Sequence, residues 1–239
     1  MNAYKRVLVK LSGEALKGNS SSILSASCIE EVVASIKRLV DRGVEVCIVV
    51  GAGNIWRGKL AETIKIKQAE ADYMGMLGTV INALALEAAL KNIGVKAMTM
   101  TSFEMDKIAP TFTQKSANKA LEDGYVVIFG GGTGNPYFTT DTCAALRACE
   151  TNCDALLMAK NGVDGVYSKD PNVYSDAEFF AELSYEELLR RNLKVMDSTA
   201  VSLLMDKNID LRVFSMQDQS NFEKVMNGES VGTIIKKGE

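Results

Sequence analysis

The sequence predicts an α/β fold: a mostly parallel central sheet flanked by helices on both faces, a sandwich-like layering. Three observations carry this. Short β-rich apolar runs recur between helical patterns, at 6–11, 46–50, 95–100, 125–129, 155–158, 211–214 and 233–235. Some of these runs, 47–50 above all, are continuously apolar, which implies burial on both faces, as in a parallel sheet covered by helices. The 239 residues include only three prolines and no repeat or low-complexity linker, so one domain spanning 1–239 is expected, and a 47% apolar content supplies its core.

The elements follow in order. Strand 6–11 comes first. Ser27-Cys28-Ile29-Glu30 fits a capping box opening a helix that runs to about Val40 and is ended by Gly43. After strand 46–50, the stretch 72–90 places Met76, Leu77, Val80, Ile81, Leu84 and Ala88 at the three-and-four spacing of a helix packed on a sheet. Helices 116–123 and 140–150 alternate with strands 95–100, 125–129 and 155–158. Helices 185–191 and 197–207 precede the last two strands.

Composition removes several classes of function. A net charge of −3 and a pI near 5.3 argue against a nucleic-acid binder, whose affinity comes from a basic surface. The N-terminal residues enter a folded pattern directly, without the layout of a signal peptide, and no apolar run reaches the roughly 18 residues of a membrane span. A cytoplasmic protein with no membrane partner is expected. The five cysteines are odd in number and form no C-x-x-C pair, which suits reduced, buried thiols. There is no histidine, so Ser-His-Asp triads, His-based zinc sites and His acid/base catalysis are excluded. Lys, Arg, Asp and backbone N–H groups remain, an inventory suited to phosphoryl transfer, where positioning and charge neutralisation do most of the work.

In open α/β sheets ligands sit beyond the carboxyl ends of the strands, and four loops there stand out. Lys10-Leu11-Ser12-Gly13 offers a cation, a hydroxyl and close backbone approach. Gly51-Ala52-Gly53-Asn54-Ile55-Trp56-Arg57-Gly58 exposes backbone N–H groups and adds a guanidinium fork. Its near-match to a P-loop is a coincidence, since Leu60 stands where a hydroxyl should hold Mg²⁺. Gly130-Gly131-Gly132-Thr133-Gly134-Asn135-Pro136-Tyr137-Phe138-Thr139-Thr140-Asp141 combines glycines with two hydroxyls able to cap the next helix while donating to phosphate. Asp141 reads equally well as a catalytic carboxylate or as a first-turn residue that favours the helix dipole. In the fourth loop, 160–171, Asp164-Gly165 reads as a plain turn, whereas Asn161, Tyr167 and Asp170 are placed to contact a nucleotide.

Together these loops resemble the bacterial UMP kinase family of the amino acid kinase superfamily, over 4–235. The motifs are Lys10-Leu11-Ser12-Gly13-Glu14-Ala15-Leu16, Gly53-Asn54-Ile55-Trp56-Arg57-Gly58, Asp72-Tyr73-Met74-Gly75-Met76-Leu77, 133–141, Val163-Asp164-Gly165-Val166-Tyr167 and Leu193-Lys194-Val195-Met196-Asp197. The resemblance implies a homohexamer and Mg²⁺-dependent transfer of the ATP γ-phosphoryl group to UMP, in pyrimidine nucleotide synthesis. Carried over residue by residue, it implies ATP contacts at Lys10, Leu11, Ser12, Gly13, Gly53, Arg57, Asn161, Tyr167 and Asp170. UMP would meet Ala52, Asp72, Thr133, Gly134, Asn135, Pro136, Tyr137, Phe138, Thr139 and Thr140, and the catalytic set would be Lys10, Arg57 and Asp141. Either Asp141 or Asp170 would orient Mg²⁺ through water. The chain departs from the family pattern in two places. Ala52 replaces a usual glycine, and 18–23 lacks the glycine- and phenylalanine-rich segment associated with activation by GTP. The alternatives are a kinase of the superfamily acting on another acceptor, or a nucleotide- or oxyanion-binding sensor or storage protein without turnover.

Overall fold

Each expected strand forms, and the computed structural model, which describes residues 2–160 and 162–238, shows how they associate. The strands are β1 Arg6–Leu11, β2 Glu45–Val50, β3 Ala97–Thr101, β4 Val126–Gly130, β5 Ala155–Lys160, β6 Val166–Tyr167, β7 Phe179–Phe180, β8 Glu182–Ser184, β9 Asp210–Ser215 and β10 Thr233–Lys236. An eight-stranded sheet runs β3-β4-β2-β1-β5-β9-β10-β8, and β6 and β7 form a separate two-stranded ribbon. All pairings in the large sheet are parallel except β9 with β10. The carboxyl ends of β1 to β5 and β9 therefore share one edge.

The helices are α1 Ala26–Asp41, α2 Gly58–Thr63, α3 Gln68–Asn92, α4 Gln114–Glu122, α5 Thr140–Glu150, α6 Tyr185–Arg190, α7 Ser198–Lys207 and α8 Asn221–Met226, with a 3₁₀ turn at Gly13–Leu16. They cover both faces. Because side chains alternate along a strand, the continuous run of β2 feeds two cores. Cys47 and Val49 pack with Ala144 and Ala148 of α5 and Leu204 of α7. Val46, Ile48 and Val50 pack on the other face with Ile36 of α1, Leu86 of α3 and Val225 of α8.

Two expectations are corrected. The helix predicted from Ser27 begins one residue earlier, with Ser25 at its cap and no side-chain capping bond. The Ser25 hydroxyl lies 3.0 Å from that of Ser27 instead of on a helix N–H, so no capping box forms. The capping box of this chain belongs to α4, where Thr113 and Ser116 bond reciprocally. The second correction concerns α3. Met76 and Val80 are buried as expected, but Leu77 and Ile81 are 48% and 46% exposed, and the face on the sheet continues through Ala83, Leu86 and Leu90. The helix is apolar on nearly every side, so the same spacing fits more than one stripe. The stripe with small residues wins because α3 crosses β4 closely, where a Cβ on Gly130 would lie 3.2 Å from the Val80 backbone. By length and composition alone α3 would also qualify as a membrane span; in the fold it lies across β3 and β4.

The short elements β6 to β8, α2 and α8 were not expected from the sequence.

Candidate functional site

In the sheet, β1 lies between β2 and β5, so the loop after β1 separates two sets of loops at the carboxyl edge. Those after β2 and β4, with the start of α3, enclose a cleft of about 280 Å³. Those after β5, with 192–195, enclose a cavity of about 510 Å³. Lys10 stands at the divide.

The smaller cleft gathers Ala52, Asp72, Thr133, Phe138, Thr139 and Thr140, and Gly53 joins them. Thr139 caps α5, its hydroxyl accepting from the N–H groups of Asp141 and Thr142, both at 3.1 Å. That cap is itself held. Asp197, at the start of α7, accepts from the hydroxyls of Thr139 at 2.5 Å and Thr142 at 2.8 Å, and from the Ala200 N–H at 3.0 Å. Burial alone would raise the Asp197 pKa, but the hydrogen bonds from Thr139, Ala200, Thr142 and Thr199 outweigh it and hold the carboxyl below its usual range. The glycine turn is pinned at two points. Gly131 N–H donates to the Thr79 hydroxyl of α3 at 2.8 Å, and Ser102 donates to the Gly132 carbonyl at 2.5 Å. Behind Ser102, the buried Arg147 donates to its hydroxyl at 3.0 Å and lies over the Phe112 ring.

Gly134, Asn135, Pro136 and Tyr137 belong to the same loop but do not line the cleft. Tyr137 is 69% exposed and sits at φ 72, uncommon for a bulky residue. Its N–H donates to the Asp72 carboxylate at 2.7 Å, so Asp72 anchors the strained turn to α3. Ala52 does not adopt positive φ. The alanine therefore carries no backbone strain there.

At the divide, Lys10 Nζ lies 2.8 Å from Asp141 Oδ1, and both side chains are about four-fifths buried. Asp141 Oδ1 is buried and finds no polar partner besides this lysine, so the two charges hold each other in place. Lys160 ends the neighbouring strand and donates to the Val195 carbonyl at 3.1 Å. Burial pushes its pKa down; Asp141 opposes this and Lys10 reinforces it. Leu11 is fully buried, so only its backbone faces the edge, accepting from Gly51 N–H at 3.0 Å. Ser12 caps the 3₁₀ turn at Glu14. Gly13 is required by packing: a Cβ there would meet the Gly51 carbonyl at 2.6 Å.

Arg57 turns back on its own loop. Its Nε donates to the Gly53 carbonyl at 3.1 Å and its Nη2 to Glu14 at 2.5 Å. Tyr167 and Asp170 line the larger cavity. Tyr167 donates to Asp164 at 2.7 Å, and Asp170 accepts from the Asn172 N–H at 2.9 Å. Asn161 lies outside the described residues. Three members of the site, Lys160, Asp197 and Glu14, stand within the loops and motifs read from the sequence but carried no role there. Lys160 was legible as a lysine closing an apolar strand, as Lys10 does. The other two act through residues distant in sequence.

Among the described residues no cluster of three or more His, Cys, Asp or Glu is able to hold a metal ion. The Asp141 carboxylate is of the donor type that Mg²⁺ takes, and this ion usually arrives with a polyphosphate and keeps waters.

The model of the amino acid kinase family matches residues 5–215. A solved structure of UMP kinase from Bacillus anthracis is 41% identical, with a TM-score of 0.96, over 99% of this chain and 97% of its own. UMP kinase from Ureaplasma parvum is 40% identical with a TM-score of 0.93, over 98% and 99%. Uridylate kinase from Archaeoglobus fulgidus is 28% identical with a TM-score of 0.75, over 98% and 100%.

Proposed function

The chain belongs to the amino acid kinase family, and from that premise we propose that it transfers the γ-phosphoryl group of ATP to UMP, giving ADP and UDP. The observation that carries this is the Lys10–Asp141 pair at the end of β1, with a cleft on one side and a cavity on the other. The near full-length likeness to two UMP kinases at 40% identity or more supports UMP as the acceptor.

In this reading the cleft with Ala52, Asp72, Thr133, Thr139 and Thr140 takes UMP, and the turn from Gly134 to Phe138 closes over it. The cavity with Tyr167 and Asp170, next to Asn161, takes the adenosine end of ATP, whose phosphates extend across Lys10, Leu11, Ser12, Gly13 and Gly53. A UMP phosphate oxygen attacks the γ-phosphorus in line. One P–O bond forms as the bond to the ADP oxygen breaks, and no strong base is needed, because a phosphate dianion is already nucleophilic. Lys10 and Lys160 neutralise the charge that passes between donor and acceptor. Asp141 holds Lys10 in place and, with the polyphosphate and water, would hold Mg²⁺, which screens phosphate charge when bound. Arg57 joins the phosphates by exchanging Glu14 for them, an exchange that its exposed position permits. The oligomer is a homohexamer, for which the exposed apolar stripe of α3 is the support in this chain.

The test is to incubate the purified chain with MgATP and, separately, UMP, CMP, dUMP and AMP, following ADP release. Turnover is expected with UMP well above the other three. Equal turnover with AMP would overturn the acceptor, and silence with all four would favour a nucleotide sensor.

A further inference from the structure

Two side-chain amides are buried beside the loop after β2. Asn82 of α3 is 0% exposed and Asn54 is 7% exposed. They bond reciprocally: Asn82 Nδ2 donates to Asn54 Oδ1 at 2.8 Å, and Asn54 Nδ2 to Asn82 Oδ1 at 3.0 Å. Each amide turns its second N–H to a backbone carbonyl, Asn82 to Gly51 and Asn54 to Ile23, both at 2.7 Å. Every amide N–H of the pair is thereby used, so the pair is cheap to keep and costly to break.

We propose that Asn82 is a positioning residue for phosphoryl transfer, fixing the peptide that follows Gly51 so that the N–H groups of Ala52 and Gly53 face the phosphates. The proposal rests on the phosphate-site reading given above. There is no cis peptide among the described residues, and in a trans peptide the carbonyl and the next N–H point in opposite directions. Holding the Gly51 carbonyl against Asn82 therefore turns the Ala52 N–H away from the core, at the point where Ala52 and Gly53 line the cleft. Gly51 is fixed from the other side too, its own N–H donating to Leu11 at 3.0 Å. Among the described residues neither the Ala52 nor the Gly53 N–H finds a protein acceptor. The same pair sets the spacing to the β1 turn, because a Cβ on Gly13 would lie 2.3 Å from Asn54 Oδ1. A purely structural demand at position 82 would be met by an apolar residue, as it is at Ala83, Leu86 and Leu90 on the same helix.

The experiment compares Asn82→Ala with Leu86→Ala, a buried truncation one turn along α3, in steady-state kinetics with ATP and UMP well below both melting temperatures. Asn82→Ala is expected to lose roughly tenfold or more in kcat and to raise KM for both nucleotides several-fold. Leu86→Ala is expected to melt earlier yet keep all three constants within about twofold of the parent. The double variant Asn54→Ala/Asn82→Ala should be little worse than Asn82→Ala alone, since the two act as a unit. Constants within about twofold of the parent in Asn82→Ala, or the same losses in Leu86→Ala, would overturn the inference. If Asn82→Ala does not fold, Asn82→Leu keeps the branched shape of the side chain but cannot donate to Gly51, and must show the same loss. Calorimetric titration with MgATP separates the two levels of inference. A parent that binds MgATP but does not phosphorylate UMP defeats the acceptor assignment, and Asn82 then stands or falls on whether its variants weaken MgATP binding.

Discussion

At the scale of single residues, the chemistry turns on three charges, Lys10 and Lys160 at the ends of adjacent strands and Asp141 in the first turn of α5, and on one methyl group. Lys10 is held 2.8 Å from Asp141, so its ammonium is oriented before any nucleotide arrives. Lys10→Ala should lower kcat on the order of 10²-fold or more, with a smaller change in KM; a turnover near that of the parent would remove Lys10 from the reaction. Lys160 has its pKa lowered by burial. The folded chain therefore gives up this proton at a lower pH than an ordinary lysine. Its burial opposes folding at neutral pH, and that cost is relieved as pH rises through the folded value toward the ordinary 10.5. If its cation serves transfer, kcat falls on the alkaline side below 10.5, and Lys160→Arg, which keeps the charge, moves that fall upward. An active Lys160→Arg enzyme with an unmoved alkaline limb would exclude Lys160 as its source. The methyl is that of Ala52. It is accommodated by Gly78 of α3, at which a Cβ would lie only 2.9 Å away. Gly78→Ala should accordingly impair UMP binding and lower the melting temperature, and Ala52→Gly should restore both in the double variant. An additive pair would contradict the contact.

At the scale of elements, strands were legible because a doubly covered parallel strand is an unbroken apolar run, and the site loops because glycine, threonine and lysine collect where such runs stop. Less legible was what holds the loops. Thr139 is visible as a cap before α5, but its partner Asp197 lies 58 residues on, and only tertiary packing brings the starts of α5 and α7 together. The face of α3 was misread for the opposite reason, too much signal: a helix apolar on almost every side has no single stripe. The α5–α7 junction carries its own prediction. Since hydrogen bonds hold the Asp197 pKa below the ordinary 3.8, its ionised form stabilises the fold above that value, and the contribution disappears as pH falls through the folded value. Melting temperature measured from about pH 6 to about pH 3 should therefore decline less steeply in Asp197→Asn than in the parent. Parallel declines would show that the carboxylate adds nothing to the junction.

At the scale of the whole molecule, the sheet leaves one helix incompletely covered. On its outer side α3 presents Tyr73, Met74, Leu77 and Ile81, exposed by 48%, 39%, 48% and 46%. These positions recur every three or four residues, so they form a continuous apolar strip on one side of a 25-residue helix. Such strips are uncommon on isolated soluble domains and mark surfaces that meet another protein. A second copy of the chain is the occupant that suits the proposed hexamer, and two antiparallel copies of α3 would bury the strip symmetrically, as a two-fold interface requires. The start of the same helix carries Asp72, which anchors the Tyr137 turn at the cleft, so assembly and the acceptor loop are joined through one rigid element. Leu77→Glu/Ile81→Glu places two carboxylates in the strip without touching the cores of the protomer. Sedimentation velocity should find the parent as a hexamer and the variant as smaller species, with the far-UV circular dichroism of the parent retained. A variant that still sediments as a hexamer would place the subunit contacts elsewhere on the surface.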